Sequence, residues 1–274
     1  MIASPRVRLA HLPLSLLVGM ALTAILVLTA LLAPLISPSD PLSQDLYDTL
    51  QPMSWRHPFG TDAFGRDVFS RIVHGARYSL AEVCISVFVS CVAGTLAGML
   101  AALAGGAVEQ AIMWVVDIMF ALPGIVLALL ILSLLGPGFL NMLLAISLFS
   151  IPVYARLAQN LTHTLQRTEY VEAARTLGAG MWRILSVHIL RNAAAPILVQ
   201  ATLTAGTVIL SASSLSFLGL GVAPATPEWG AMMSDGRNYL GIDILPSLFP
   251  GLAITIAVLG FNLLGEGMRK VMEG

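Results

Sequence analysis

The chain has 274 residues, 57% of them hydrophobic and 11% charged, with a formal net charge of −1. Soluble domains are about a quarter charged, so this chain is too apolar to cover itself with polar surface in water and must use lipid as solvent. The near-neutral charge gives no basis for a nucleic-acid partner.

In chain order, six stretches approach the ~20 apolar residues that a helix needs to cross the hydrocarbon. Leu12–Ile36 is uncharged, as is Val83–Ala104; Ala111–Leu135 carries one acid, Asp117. Phe139–Tyr154 is the shortest, with Pro152 placed to end or kink it, and Ala193–Leu218 and Leu245–Leu264 complete the set. The fold class is therefore an all-α membrane protein with six transmembrane helices. The first stretch is longer than the ~7–15 apolar residues of a signal peptide. Pro34 and Pro38 stand where a small-residue cleavage site would lie, so it reads as a retained anchor.

Arginine sets the orientation. With a cytoplasmic N-terminus, the inner segments carry Arg6, Arg8, Arg156, Arg167, Arg175, Arg183, Arg191, Arg269 and Lys270. The outer segments carry Arg56, Arg66, Arg71, Arg77 and Arg237. Both termini are expected inside. The chain then divides into 1–36 (N-terminus and first span), 37–76 (an extracytoplasmic loop), 77–268 (a five-helix core) and 269–274 (a cytoplasmic tail). Within the core lies a cytoplasmic loop, 155–192.

That inner loop holds the densest signal. Thr168 is placed to N-cap a helix, with Glu169 in the first turn where the helix dipole favours an acid. Tyr170, Val171, Ala174 and Leu177 form one apolar stripe, and Glu172 and Arg175 are spaced to pair on another face. Gly178 and Gly180 stop this helix, and Met181–Leu190 is expected to form a second. A short amphipathic helix, a glycine turn and a further helix thus protrude between two spans, a shape suited to docking on a cytoplasmic partner.

Glu172-Ala173-Ala174, followed after three residues by Gly178, resembles the EAA loop of bacterial ABC importer permeases. His57-Pro58-Phe59-Gly60-Thr61-Asp62 through Arg71 resembles the segment after the first span in the dipeptide, oligopeptide and nickel permeases. So do Leu215 to Gly221 with Pro227-Glu228-Trp229-Gly230, and the Phe249-Pro250-Gly251 and Phe261-Asn262 motifs of the last span. The resemblance covers the chain from about Leu12 to its end, and departs where Arg191 replaces a proline common in the family.

The resemblance implies a type I ABC importer permease fold in the bacterial inner membrane. It also implies that Glu172, Ala173, Ala174, Arg175 and Gly178 couple to a separate ATPase. The partners it implies are a second homologous permease, two ATP-binding subunits and an extracytoplasmic solute-binding protein. No cofactor is expected on this chain, ATP and Mg belonging to the ATPase. The composition agrees: Lys270 is the only lysine, and a phosphate-binding G-x-x-x-x-G-K-[ST] loop needs its lysine at a strand-to-helix turn. The chain itself is thus not read as an enzyme. Peptides, nickel or its chelates, and glutathione-like conjugates all fit the family, and peptides are the favoured cargo.

The remaining features have milder readings. Asp117 is an intramembrane acid and a candidate for the pathway; the favoured reading places it at the cytoplasmic boundary, paired or hydrated. Gly94-x-x-x-Gly98 reads as a packing face. Asp62, Arg66 and Asp67 read as a charged network folding the outer loop rather than a catalytic cluster. Cys84 and Cys91, seven apart, read as small buried hydrophobes. None of the five histidines falls in a predicted span, which argues against a metal site and against a six-span intramembrane protease needing a histidine base. An ATP-independent channel or carrier is the other rival, and it leaves the docking loop unexplained.

Overall fold

A computed structural model describes residues 12–273. Arg6, Arg8 and His11 lie outside the described residues. The chain is helical throughout its long elements. Helix α1 (Leu14–Ile36) is followed by a long loop, 37–67, and α2 (Val68–Ala104); α3 (Gly106–Ala121) and α4 (Gly124–Leu135) precede α5 (Phe139–Gln166). A short α6 (Glu169–Thr176) leads through one turn, α7 (Met181–Arg183), and a π-helical segment (Ile184–Ile189) into α8 (Leu190–Phe217). Helices α9 (Trp229–Gly236) and α10 (Leu245–Glu273) complete the chain.

Five helical paths are long and apolar enough to cross a membrane, and α3 with α4, bent by 94° at their junction, makes six when the pair is counted as one span. The sequence reads that third stretch as one continuous span; the structure corrects this. Pro123 has no N–H to donate to a preceding turn and forces Leu122 out of the helical region, to φ −101° and ψ 136°. Pro152 acts differently: it lies buried inside α5, which runs on through Arg156 to Gln166. The fourth crossing is therefore much longer than its apolar window. Helix α2 also begins well before Val83; at about 1.5 Å per residue it spans about 55 Å and overshoots the ~30 Å hydrocarbon layer. His74 and His163 fall in these helical extensions.

Small residues let the helices approach closely. A Cβ on Gly98 would overlap the Ala155 carbonyl, and one on Gly94 would meet Ile151 and Tyr154, so the Gly94-x-x-x-Gly98 stripe is where α2 packs on α5. Gly19 and Gly267 do the same between α1 and α10, against Leu264 and Leu16. The cysteines depart from expectation. Cys91 is half-buried beside the cluster around Tyr154 and Ile189, whereas Cys84 is exposed, on a face of α2 opposite its buried neighbours Glu82 and Ser86.

At the N-terminal end of α2 the loop 37–67 is held by ion pairs. Arg66 Nε donates to Asp62 at 2.6 Å and its guanidinium reaches Asp235 on α9 at 3.2 Å. Arg71, fully buried, lies 3.7 Å from Asp62 and donates to the carbonyls of Pro41 and Ala225. Asp67 caps α2 by accepting from the Ser70 N–H at 2.7 Å. Glu228 caps α9 by accepting from the Gly230 and Ala231 amides at 2.8 Å. This network joins the loop, α2 and α9 into one rigid end, as the sequence reading of Asp62, Arg66 and Asp67 expects.

Candidate functional site

The opposite end of the bundle carries the segment Thr168–Ile189. Helix α5 stops at Arg167, and the chain turns into α6 through backbone bonds: the Val171 and Glu172 amides donate to the Thr168 carbonyl at 3.0 and 3.1 Å. Thr168 occupies the N-cap position, but its hydroxyl donates back to the Leu165 carbonyl at 2.6 Å, so the cap is made by backbone alone. Glu169 and Glu172 both stand in the first turn, where the positive end of the helix favours them.

The far end of α6 is a glycine cap. Gly178 has φ +83°. The Gly178 amide donates to Arg175 and the Ala179 amide to Ala174, each at 3.0 Å. This pair of bonds is the Schellman arrangement, which needs a left-handed residue where Gly178 sits. A Cβ there would meet nothing within 4 Å, so conformation rather than space requires the glycine.

One side chain holds α6 to the bundle. Val171 is fully buried among Tyr154, Ala158, Ile184, Leu185 and Ile189. The rest of the expected apolar stripe is not buried. Tyr170 is 43% exposed and Leu177 is 87% exposed. Just beyond the glycine turn, Met181 and Trp182 are also exposed, Trp182 at 71%. Glu172, Ala173 and Arg175 are exposed and Ala174 is partly so. The structure thus brings Glu172, Ala173, Ala174, Arg175 and Gly178 together on one protruding turn. It adds Leu177, Met181 and Trp182, which the sequence reading did not single out as a surface. The signal for them was large apolar residues immediately flanking a glycine turn in a polar loop.

Two local expectations are corrected. Glu172 and Arg175 make no ion pair with each other among the described residues; Arg175 instead lines a cleft with Gln166, Leu103 and Ile184. Met181–Leu190 is not a separate helix, since the helical path runs unbroken from Met181 to Phe217 with six π-helical residues in it. Such π-turns cluster at functional positions. Arg191 lies exposed in the first turn of α8, and Pro196 sits inside that helix.

Asp117 lies away from this turn. It is half exposed and its carboxylate accepts from Arg156 on α5. A cavity of about 680 Å³ lies elsewhere, between α8, α9 and α10. Ser213, Ser214, Phe217, Met233 and Thr255 help to line it, with no charged side chain.

Comparison with known proteins gives the same architecture a family. The family described as binding-protein-dependent transport system inner membrane component matches residues 94–273. The N-terminal TM domain of oligopeptide transport permease C matches residues 15–52. The chain is 42% identical over 261 residues to the di/tripeptide transport system permease protein DppC of Pseudomonas aeruginosa, covering 93% of this chain and 86% of that protein. It is 39% identical over 249 residues to the probable D,D-dipeptide transport system permease protein DdpC of Escherichia coli, covering 91% and 84%. To the glutathione transport system permease protein GsiD of Pectobacterium atrosepticum it is 42% identical over 250 residues, covering 91% and 83%. A solved structure of the inward-facing MetNI methionine ABC transporter superposes with a TM-score of 0.61 at 21% identity, over 75% of this chain and 96% of that one. That likeness establishes the fold as that of a type I ABC importer permease. The chain belongs to the family of inner-membrane components of binding-protein-dependent transport systems.

Proposed function

We propose that this chain is the permease subunit of an ATP-driven importer of di- and oligopeptides, forming half of the translocation pathway. The observation that carries the coupling part of the reading is the α6 turn. Val171 anchors it, the Gly178 cap fixes its shape, and Glu172, Ala173, Arg175, Leu177 and Trp182 are left uncovered by the chain's own bundle. A short, rigid, partly apolar knob of this kind suits a groove on an ATPase subunit, because exposed aromatic and aliphatic anchors ringed by polar residues make good interface centres.

On this reading ATP closes a dimer of two ATPase subunits, and the motion passes through Glu172–Gly178 into α5 and α8. Both termini and 155–192 face the cytoplasm, and 37–76 faces out. A second permease of similar fold completes the pathway, and an extracytoplasmic binding protein delivers the solute. The alternation of access comes from rotation of the spans. ATP and Mg act on the partner, and this chain supplies no catalytic group.

Peptide as cargo rests on the relatives, whose names specify di- and tripeptides, D,D-dipeptides and glutathione, itself a tripeptide. These support peptides over nickel. The test is uptake of a labelled dipeptide and of labelled nickel, in parallel, by cells with and without this chain. The account expects loss of dipeptide uptake with nickel uptake intact. Loss of nickel uptake alone would overturn the peptide assignment.

A further inference from the structure

A cavity of about 320 Å³ lies at the end of the bundle that carries the Arg66–Asp62 network, between α2, the outer loop and the start of α5. Arg77, Tyr78 and His74 line it together with Leu42, Phe139 and Pro227, and no acidic side chain does. Arg77 stands apart from the other arginines of the segments assigned outside. Arg56, Arg66 and Arg71 are ion-paired and Arg237 stacks on Phe217. Exposed Arg77 has neither an ion pair, a hydrogen bond nor an aromatic face among the described residues. The Tyr78 hydroxyl likewise has no hydrogen-bond partner among them, while its ring is fixed edge-on to Phe139 with centroids 6.1 Å apart. The His74 ring is held by its Nδ1–H donating to the Ser70 carbonyl at 3.0 Å.

An unpaired guanidinium and a phenolic donor lining one cavity, among apolar side chains, are suited to an anion with an apolar body. The planar fork of arginine matches a carboxylate by two parallel hydrogen bonds, and the cavity lies at the small end of the ligand-site range. We propose that this cavity is an entry subsite that receives the C-terminal carboxylate of the transported peptide through Arg77, with Tyr78 as second donor. The proposal rests on the peptide-import reading and adds to it a basis for substrate selection within the permease itself.

The test compares uptake of a labelled dipeptide with that of its C-terminal amide, in cells expressing the full importer, with membrane levels of each variant measured alongside. Arg77→Gln should lower the carboxylate-to-amide uptake ratio about tenfold, the scale of a lost charge-assisted hydrogen bond, and Arg77→Lys should restore part of it. Should the glutamine variant fail to reach the membrane, Tyr78→Phe removes one hydroxyl alone and should lower the ratio about threefold. An unchanged ratio in these variants would overturn the subsite. Equal loss of both substrates would also overturn it, leaving Arg77 to a lipid phosphate. Absence of any chain-dependent dipeptide uptake in the unaltered importer is a separate result, and it would overturn the peptide-import reading on which the subsite depends.

Discussion

Val171 and Leu177 stand on the same short helical turn in opposite surroundings: Val171 is fully buried in the bundle, and Leu177 is 87% exposed. One fastens the turn to the helices that would move, and the other is presented outward. On the proposed coupling reading, a push on Leu177 would pass through Val171 into the buried cluster that holds Tyr154 of α5 and Ile189 beside α8.

Leu177→Asp should therefore leave the fold intact, since the side chain is mostly exposed, and weaken association with the ATPase. Loss of an interface anchor costs about 2 kcal/mol, or about thirtyfold in affinity. Co-purification of the ATPase with the tagged permease measures it, with Trp182→Ala expected to act in the same direction. Retention of wild-type association by both variants would remove Leu177 and Trp182 from the contact.

The Gly178 cap separates conformation from volume. Gly178→Ala meets no neighbour but must adopt φ +83°, at about 1–2 kcal/mol. Gly178→Pro cannot adopt that φ at all and also removes the amide that donates to Arg175. Coupled ATP hydrolysis should fall modestly for alanine and be abolished for proline. Equal activities would mean that the cap geometry does not matter to coupling.

Gly98 tests the packing of α2 on α5. Gly98→Val drives a branched side chain into the Ala155 backbone and should cost about 1–3 kcal/mol, as overpacking does. The expected result is a lower melting temperature and a smaller yield of folded protein in detergent. Leu96→Val, on an exposed position of the same helix, should be close to neutral.

Asp235 predicts a pH dependence. Burial raises its carboxyl above the ordinary 3.8, and the neighbouring Arg66 and Arg71 charges pull it only partly back. The folded state therefore holds this proton more tightly than the unfolded chain. The stability it contributes is complete below the ordinary value and is lost as pH rises through the raised one. Asp235→Asn keeps a carbonyl oxygen for Arg66 and removes the titration. The melting temperature of the wild type should fall relative to the variant from about pH 4 upward; parallel curves would contradict the assignment.

Much of this was legible in the chain itself, and the failures have physical causes. Uninterrupted apolar runs located the crossings, because lipid demands them. Hydropathy could not find the break at Leu122–Pro123, since a bent pair of helices is as apolar as a straight one. It also truncated α5 at Tyr154, just before Arg156, because a helix that leaves the membrane stays helical while its side chains turn polar. The glycine turn at Gly178 was visible because only a left-handed residue ends a helix that way. Periodicity grouped Leu177 with Val171 on one apolar stripe. It records which residues share a face, not whether that face is covered by this chain or offered to another. The broken expectation at Thr168 is of the same kind: its hydroxyl had two partners in reach, and the preceding helix end took it.

The central claim is that the α6 turn transmits ATPase closure to the spans, and Glu172→Arg tests it most directly. Glu172 is exposed and makes no ion pair among the described residues, so reversing its charge should spare the fold and disturb only a docked partner. The measurement is binding-protein-stimulated ATP hydrolysis by the purified complex, with and without peptide. The account predicts that the stimulation collapses while the permease remains folded. Full stimulation in the Glu172→Arg complex would show that this turn is not the coupling surface.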